Sequence, residues 1–208
     1  MRCLLLISAL IWMLACSGPY KAMQKINADP GCVKVFRPSF TTALYNTSVN
    51  VTGKHLSGLL IIKTMPDSSI RLVFSNEAGF KFFDFEFSGA GFKVYYIYKQ
   101  LNRKAIIKTL RKDFQLVLMN NLNSDGGYIL KNDHNRFYCF PQGRDHYYYL
   151  TDSVCGKLIR MERGNSNKRV MSAIAENFND GVPDTIGITH DNFNFDIGLK
   201  RIYRYAEK

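Results

Sequence analysis

Side chains able to carry chemistry are few in this 208-residue chain, and their spacing suits catalysis poorly. Four histidines occur: His55, His134, His146 and His190. Asp133-His134 and Asp145-His146 repeat an Asp-His dipeptide, but neighbours on a strand point to opposite faces, so neither carboxylate can orient its adjacent ring. Asp84 and Glu86 share one face of the alternating run Phe83-Asp84-Phe85-Glu86-Phe87 and could form a carboxylate pair. A solvated position beside Lys81 accounts for them equally well. There is no G-x-S-x-G elbow and no H-E-x-x-H helix. No C-x-x-C pair or Cys/His cluster has zinc spacing. These residue types argue for binding or structure rather than catalysis, with no metal and no cofactor implied.

Cys16 is the one nucleophile whose surroundings specify a reaction. Arg2 precedes an apolar run from Leu4 to Leu14, followed by Ala15, Cys16 and Ser17. A positive start, an apolar core and small residues describe a secretory signal peptide. The run falls short of the roughly 20 apolar residues of a membrane-spanning helix. Met13-Leu14-Ala15-Cys16 resembles the lipobox of bacterial lipoproteins, with Met13 where Leu is usual. The resemblance implies removal of residues 1–15, acylation of Cys16 and a membrane partner held through that lipid anchor. The alternative is an ordinary signal with an incidental cysteine. Once Cys3 and Cys16 are set aside, Cys32, Cys139 and Cys155 share an oxidising compartment, and three cysteines allow one disulfide at most. Cys139–Cys155 is the expected pair, since both lie in a strand-rich region joined by a plausible turn.

The elements that must position these residues lean toward β structure. Phe (15) and Tyr (12) are abundant, and both favour half-buried pleated surfaces. The formal net charge is +11. In an exported chain this excess points to anionic lipid or lipopolysaccharide phosphates rather than to nucleic acid, or simply to a solvated basic surface. Residues 16–38 read as a lipidated tether, rich in Gly and Pro, with one short helix around Tyr20–Ile26. Residues 39–208 read as a single domain.

From Tyr45 to Tyr98 the pattern is an antiparallel meander. Ile70, Leu72 and Phe74 share one face, as do Phe83, Phe85 and Phe87, and then Phe92, Val94, Tyr96 and Tyr98. Phe80 and Phe82 fall out of phase with Phe83, so either a bulge resets the register or the strand buries aromatics on both faces. Asn102 can cap a helix running to about Leu118, with Ile106, Leu110 and Phe114 at helical spacing. Phe114–Met119 fits either its last turns or a new strand. Strands resume in the second half; Lys168–Phe178 is ambiguous between helix and strand. Tyr147-Tyr148-Tyr149 should expose at least one ring, unless a packed loop covers it.

Asp67-Ser68-Ser69-Ile70-Arg71-Leu72-Val73-Phe74, Gly79 with its following aromatic strand, and Pro183-Asp184-Thr185-Ile186-Gly187-Ile188 before Phe193–Ile202 resemble the LolA/LolB-like lipoprotein carriers and receptors, Bacteroidetes-type outer-membrane lipoproteins in particular. The resemblance implies an α+β fold, an antiparallel half-barrel wrapped around an apolar interior with a few helices. It also implies a periplasm-facing lipoprotein whose cavity takes lipid or the acyl chains of other lipoproteins. Ser17-Gly18-Pro19 lacks the acidic run of a surface-export signal, which favours the periplasmic side of the outer membrane. The expected cavity wall is Phe74, Phe83, Phe85, Phe87, Val94 and Tyr96, with Leu110 and Phe114 on the helical lid. Arg103, Lys104, Lys108, Arg111 and Lys112 are the expected membrane or anion contacts. Met65 alone answers to the receptor's protruding apolar loop. The rival expectation is a structural or interaction lipoprotein with a filled core that scaffolds envelope machinery.

Overall fold

The computed structural model describes residues 18–51, 53–122 and 126–203. Cys16 lies outside them. Thirteen strands form one open, wholly antiparallel sheet. In chain order the first seven are β1 (Gln24–Ile26), β2 (Thr42–Val51), β3 (Lys54–Thr64), β4 (Ile70–Ser75), β5 (Lys81–Ser88), β6 (Gly91–Ile97) and β7 (Tyr128–Lys131). The rest are β8 (Asn135–Gln142), β9 (Asp145–Asp152), β10 (Leu158–Gly164), β11 (Arg169–Asn179), β12 (Val182–His190) and β13 (Phe195–Ile202). Across the sheet they run β1-β7-β8-β9-β10-β11-β12-β13-β2-β3-β4-β5-β6, so β1 and β6 are the free edges. A 3-10 helix, Pro30–Phe36, and helix α1, Lys104–Val117, complete the half-barrel.

Alternation explains most of the sheet. In β2, Ala43, Tyr45, Thr47 and Val49 are buried while Thr42, Asn46, Ser48 and Asn50 lean outward. The ambiguous stretch after Lys168 is strand β11, because Met171, Ala173 and Ala175 are buried by alternation between β10 and β12. Helix α1 runs through Phe114 to Val117. Its start differs from expectation: the N-cap is Arg103, with no side-chain hydrogen bond, and Asn102 lies one residue too early to cap it.

Two bulges set the faces of the aromatic strands. Phe74 pairs with Phe83 but Ser75 with Lys81, so Phe82 is the extra residue and the register resets there. Phe82 is thereby buried against Phe74 at 4.8 Å between ring centroids. On β6, Val94 pairs with Phe85 but Tyr96 with Asp84, so Tyr95 is extra and Tyr96 turns to the convex face.

The segment expected as a tether, from residue 18 to 38, is part of the fold. Tyr20 lies on the convex face, stacked on Tyr148 at 4.0 Å, and its hydroxyl donates to Glu162 Oε2 at 2.7 Å. No helix forms around Tyr20–Ile26; β1 instead extends the sheet beside β7. The chain then passes to the concave side, where the 3-10 helix buries Val33 in the main core. A disulfide from Cys32 to Cys155 fastens it, in place of the expected Cys139–Cys155 pair. Cys139 is fully buried on the convex face between Tyr20, Phe137 and Tyr148, and burial pushes its thiol up to about 11. Adjacent strands do bring Cys139 near β9, but Cys155 sits in the β9–β10 turn, facing the 3-10 helix. The same covering explains Tyr147-Tyr148-Tyr149, none of which is exposed. Tyr147 and Tyr149 enter the main core while Tyr20 roofs Tyr148.

Candidate functional site

A cavity of about 230 Å³ lies on the concave face, between the N-terminal half of α1 and strands β2, β3, β4, β5 and β13. Its floor is Leu60, Phe74, Phe83 and Ile197, all buried, with Leu110 and Phe114 descending from α1. Val51, Leu56, Leu101 and Ile106 are partly exposed around its opening, and Phe193 is 42% exposed there. Thr47 and Thr109 supply the only hydroxyls of the lining. Such a surface offers little to a polar group, so the space favours an apolar occupant. At roughly 30 Å³ per water-sized group, it holds part of one acyl chain rather than several.

Four of the eight expected wall residues line this space: Phe74, Phe83, Leu110 and Phe114. Phe85 and Phe87 are buried deeper in the core, Phe85 stacked on Phe83 at 4.4 Å and Phe87 against Phe92 at 5.0 Å. Val94 is on the right face but half-exposed on the edge strand β6. Tyr96 is displaced by the Tyr95 bulge to the convex face, beside Lys81. The lining contributed by β2, β3 and β13 was not anticipated as cavity wall. Its signal was present in the alternation Tyr45, Thr47, Val49, Val51 and in Phe193, Phe195, Ile197, but alternation cannot separate a filled face from a hollow one.

The C-terminal half of α1 is held by polar contacts. Asp113 is fully buried, and its Oδ1 accepts from Arg163 of β10 at 3.3 Å. Its Oδ2 lies 3.1 Å from His190 Nε2 of β12, off the line of a hydrogen bond, so the contact is that of an ion pair when the ring is doubly protonated. His190 Nδ1 is 3.1 Å from the Phe195 carbonyl, which can only accept, so that nitrogen carries a proton. The same ring packs on Phe193 and Phe195, at 4.9 and 4.8 Å, where they form the cavity wall. Lys112 pairs with Asp145, and Tyr149 donates to the Leu116 carbonyl at 3.2 Å. Lys112 is therefore committed to the fold rather than free for an anion. Arg111 lies over the Phe92 ring at 5.6 Å, whereas Arg103, Lys104 and Lys108 are exposed.

On the convex face Asp84 is buried between Arg71, whose Nε donates at 2.6 Å, and Lys81, at 2.9 Å. Burial alone would raise its carboxyl, but the two cationic donors outweigh it and hold it below the usual carboxylate range. Asp84 and Glu86 do not act as a pair: Glu86 accepts from the Tyr95 hydroxyl at 3.1 Å. Met65 sits in a tight turn closed by hydrogen bonds with Ser68 and Ser69, at the end of the sheet away from the cavity opening. Among the described residues no three His, Cys, Asp or Glu side chains are grouped to hold a metal ion. No helix among them is long and apolar enough to cross a membrane.

No protein-family model matches the sequence, and no curated protein is similar to it in sequence. The fold, by contrast, is shared. A LolA superfamily protein from Nitrosomonas europaea superposes with a TM-score of 0.56 over 88% of this chain and 96% of that one, at 8% identity. Weaker likenesses are to a DUF1329 family protein from Desulfovibrio piger (TM-score 0.43, 11% identity, 84% and 90% covered) and to an outer membrane lipoprotein-sorting protein domain from Vibrio parahaemolyticus (0.39, 9%, 82% and 87%). The chain has the LolA-like half-barrel fold, with the sheet open and a helix across it.

Proposed function

We propose that this protein is a non-catalytic carrier or receptor of an amphiphile, taking an acyl chain into the cavity beneath α1. The observation that carries the reading is a hollow, almost wholly apolar space that opens to the surface on the concave face of the half-barrel. Burying acyl chain there is favourable by roughly 0.8 kcal/mol per CH₂, so even a partly inserted chain binds usefully. The fold shared with the LolA superfamily protein supports the same reading. In this reading Cys16 is acylated, the chain is anchored to the outer membrane facing the periplasm, and the occupant is lipid or the acyl chains of a lipoprotein.

Native mass spectrometry of the purified chain tests it. Co-purified lipid is expected, and Ala105→Phe, which adds a ring at the exposed edge of the cavity lining, should reduce it. A chain that carries no lipid and takes up none from a fluorescent fatty-acid titration would instead favour the scaffold reading, with the remaining space merely a packing defect.

A further inference from the structure

The antiparallel order gives the half-barrel two ends, and they differ. One end carries the cavity opening: the start of β3, the approach to α1 from Tyr98 to Arg103, and the β12–β13 turn with Phe193. The β10–β11 turn, Asn165 to Lys168, lies at this same end, because β11 starts beside the last residues of β12, with Met171 paired to His190. Lys54, Lys99, Arg103, Lys104, Arg144 and Lys168 are exposed here. None of them is in an ion pair with another described residue. Lys54 shares the cavity face of β3 with Leu56 and Leu60, two residues beyond the opening. Of the acids at this end, Asp191 is consumed by Arg169 at 2.8 Å and Asp145 by Lys112, leaving Glu77 and Asp196. The opposite end carries Asp67, Asp133, Asp152 and Asp180 against Arg37, Lys63, Lys131 and Lys157, so its charges balance.

Gly18, the first described residue, also lies at the basic end. Gly18 packs against the backbone of Asn167, so closely that a Cβ there would fall 2.4 Å from its carbonyl oxygen. Pro19 borders the same recess as Arg169 and Asp191. Two peptide links separate Gly18 from Cys16, a span of at most about 7 Å. Residues 18–38, folded onto the sheet, give the anchor no long leash.

We propose that the end bearing the cavity opening is a membrane-docking surface, and that its partner is an anionic bilayer. The short link to an acylated Cys16 brings this end to the lipid, the uncompensated cations fit anionic head groups, and the opening then faces the bilayer, so a chain can pass between membrane and cavity without crossing water. The inference rests on acylation of Cys16 and not on what the cavity holds.

Hydrogen exchange of the acylated chain, bound to vesicles of phosphatidylcholine with or without phosphatidylglycerol, tests it. On the anionic vesicles the amides of Lys54, residues 99–104, residues 165–168 and residues 192–194 should slow several-fold. The turns at Asp67, Asp133 and Asp180 should not change. High salt should erase the difference. The exposed pair Lys54→Glu and Lys104→Glu should remove most of this protection, since each cation near an anionic surface is worth about fivefold in partitioning. Equal protection at both ends, protection at the opposite end, or indifference to anionic lipid would overturn the proposal. So would a mass showing Cys16 unmodified. Lipid in the native mass spectrum alongside any of these results would keep the cavity reading while removing the docking surface.

Discussion

The two halves of helix α1 rest on the same concave sheet in different ways. From Lys112 onward the helix is fixed to β9, β10 and β12 by charges and hydrogen bonds: Asp113 with Arg163 and His190, fully buried, Lys112 with Asp145, partly solvated, and Leu116 with Tyr149. Below it lie Met119, Phe140, Tyr149, Met161 and Met171, close-packed. From Ala105 to Leu110 the helix instead lies over the cavity, with apolar contacts alone and an N-cap that lacks a side-chain bond. The contrast separates stability from binding. Buried ion pairs are geometrically exacting, so the C-terminal half stays where Asp113 is held. Apolar contacts around a void are forgiving, so the N-terminal half is held less exactly than the C-terminal half.

Removing one member of the buried cluster should have the largest effect. Asp113→Ala leaves the buried Arg163 with only its longer contact to Asp145, at 3.7 Å, and should cost about 3 kcal/mol by denaturant unfolding. Lys108→Ala, on the exposed side of the same helix, should stay within about 0.5 kcal/mol. Equal effects would mean that the two sides of the helix are held alike. Next comes the disulfide. The bond joining Cys32 to Cys155 spans 123 residues, and the double Ser variant should lose about 2–4 kcal/mol. Limited proteolysis should then release the segment before Phe40 first.

Paired insertions test the two halves directly. Ala173 is 1% exposed on the packed side, and Ala173→Phe should destabilise by about 1–3 kcal/mol through overpacking. Ala105→Phe, over the hollow side, should cost well under that while reducing lipid uptake. If both cost the same, the cavity is not available space. The smallest effect concerns the convex face. Because Asp84 is held below its ordinary value of 3.8, its contribution is full above that pH and fades as the pH falls through the lower folded value. The stability gap between the wild type and Asp84→Asn should therefore be present at neutral pH, under about 1 kcal/mol because Arg71 and Lys81 remain partly solvated, and close in acid.

Legibility of the fold and of the site differed for physical reasons. The strands were readable because each buries one face, and burial imprints a period of two on residues such as Thr42–Val51. Helix α1 was readable because Ile106, Leu110 and Phe114 recur at its own period. Tyr96 was misplaced because one extra residue, Tyr95, inverts every face after it, and nothing in the run Val94-Tyr95-Tyr96-Ile97 marks which residue bulges. The segment before Phe40 read as a tether because Gly and Pro dominate it, yet Tyr20 and Val33 each fill a site built by distant strands. The disulfide followed the same rule: Cys32 and Cys155 are far apart in sequence, and only the return of the 3-10 helix over the concave face brings them together.

The sequence by itself determined antiparallel strands and one amphipathic helix, because those features are periodic and local; the open half-barrel came only through the resemblance. Only the tertiary structure decided which apolar residues are core and which surround a void. It also decided that Asp113 and His190 meet, and that Gly18 packs at the end where the cavity opens. Each of these depends on how far apart whole strands stand, and that spacing is set by packing across the sheet rather than by any one stretch of chain.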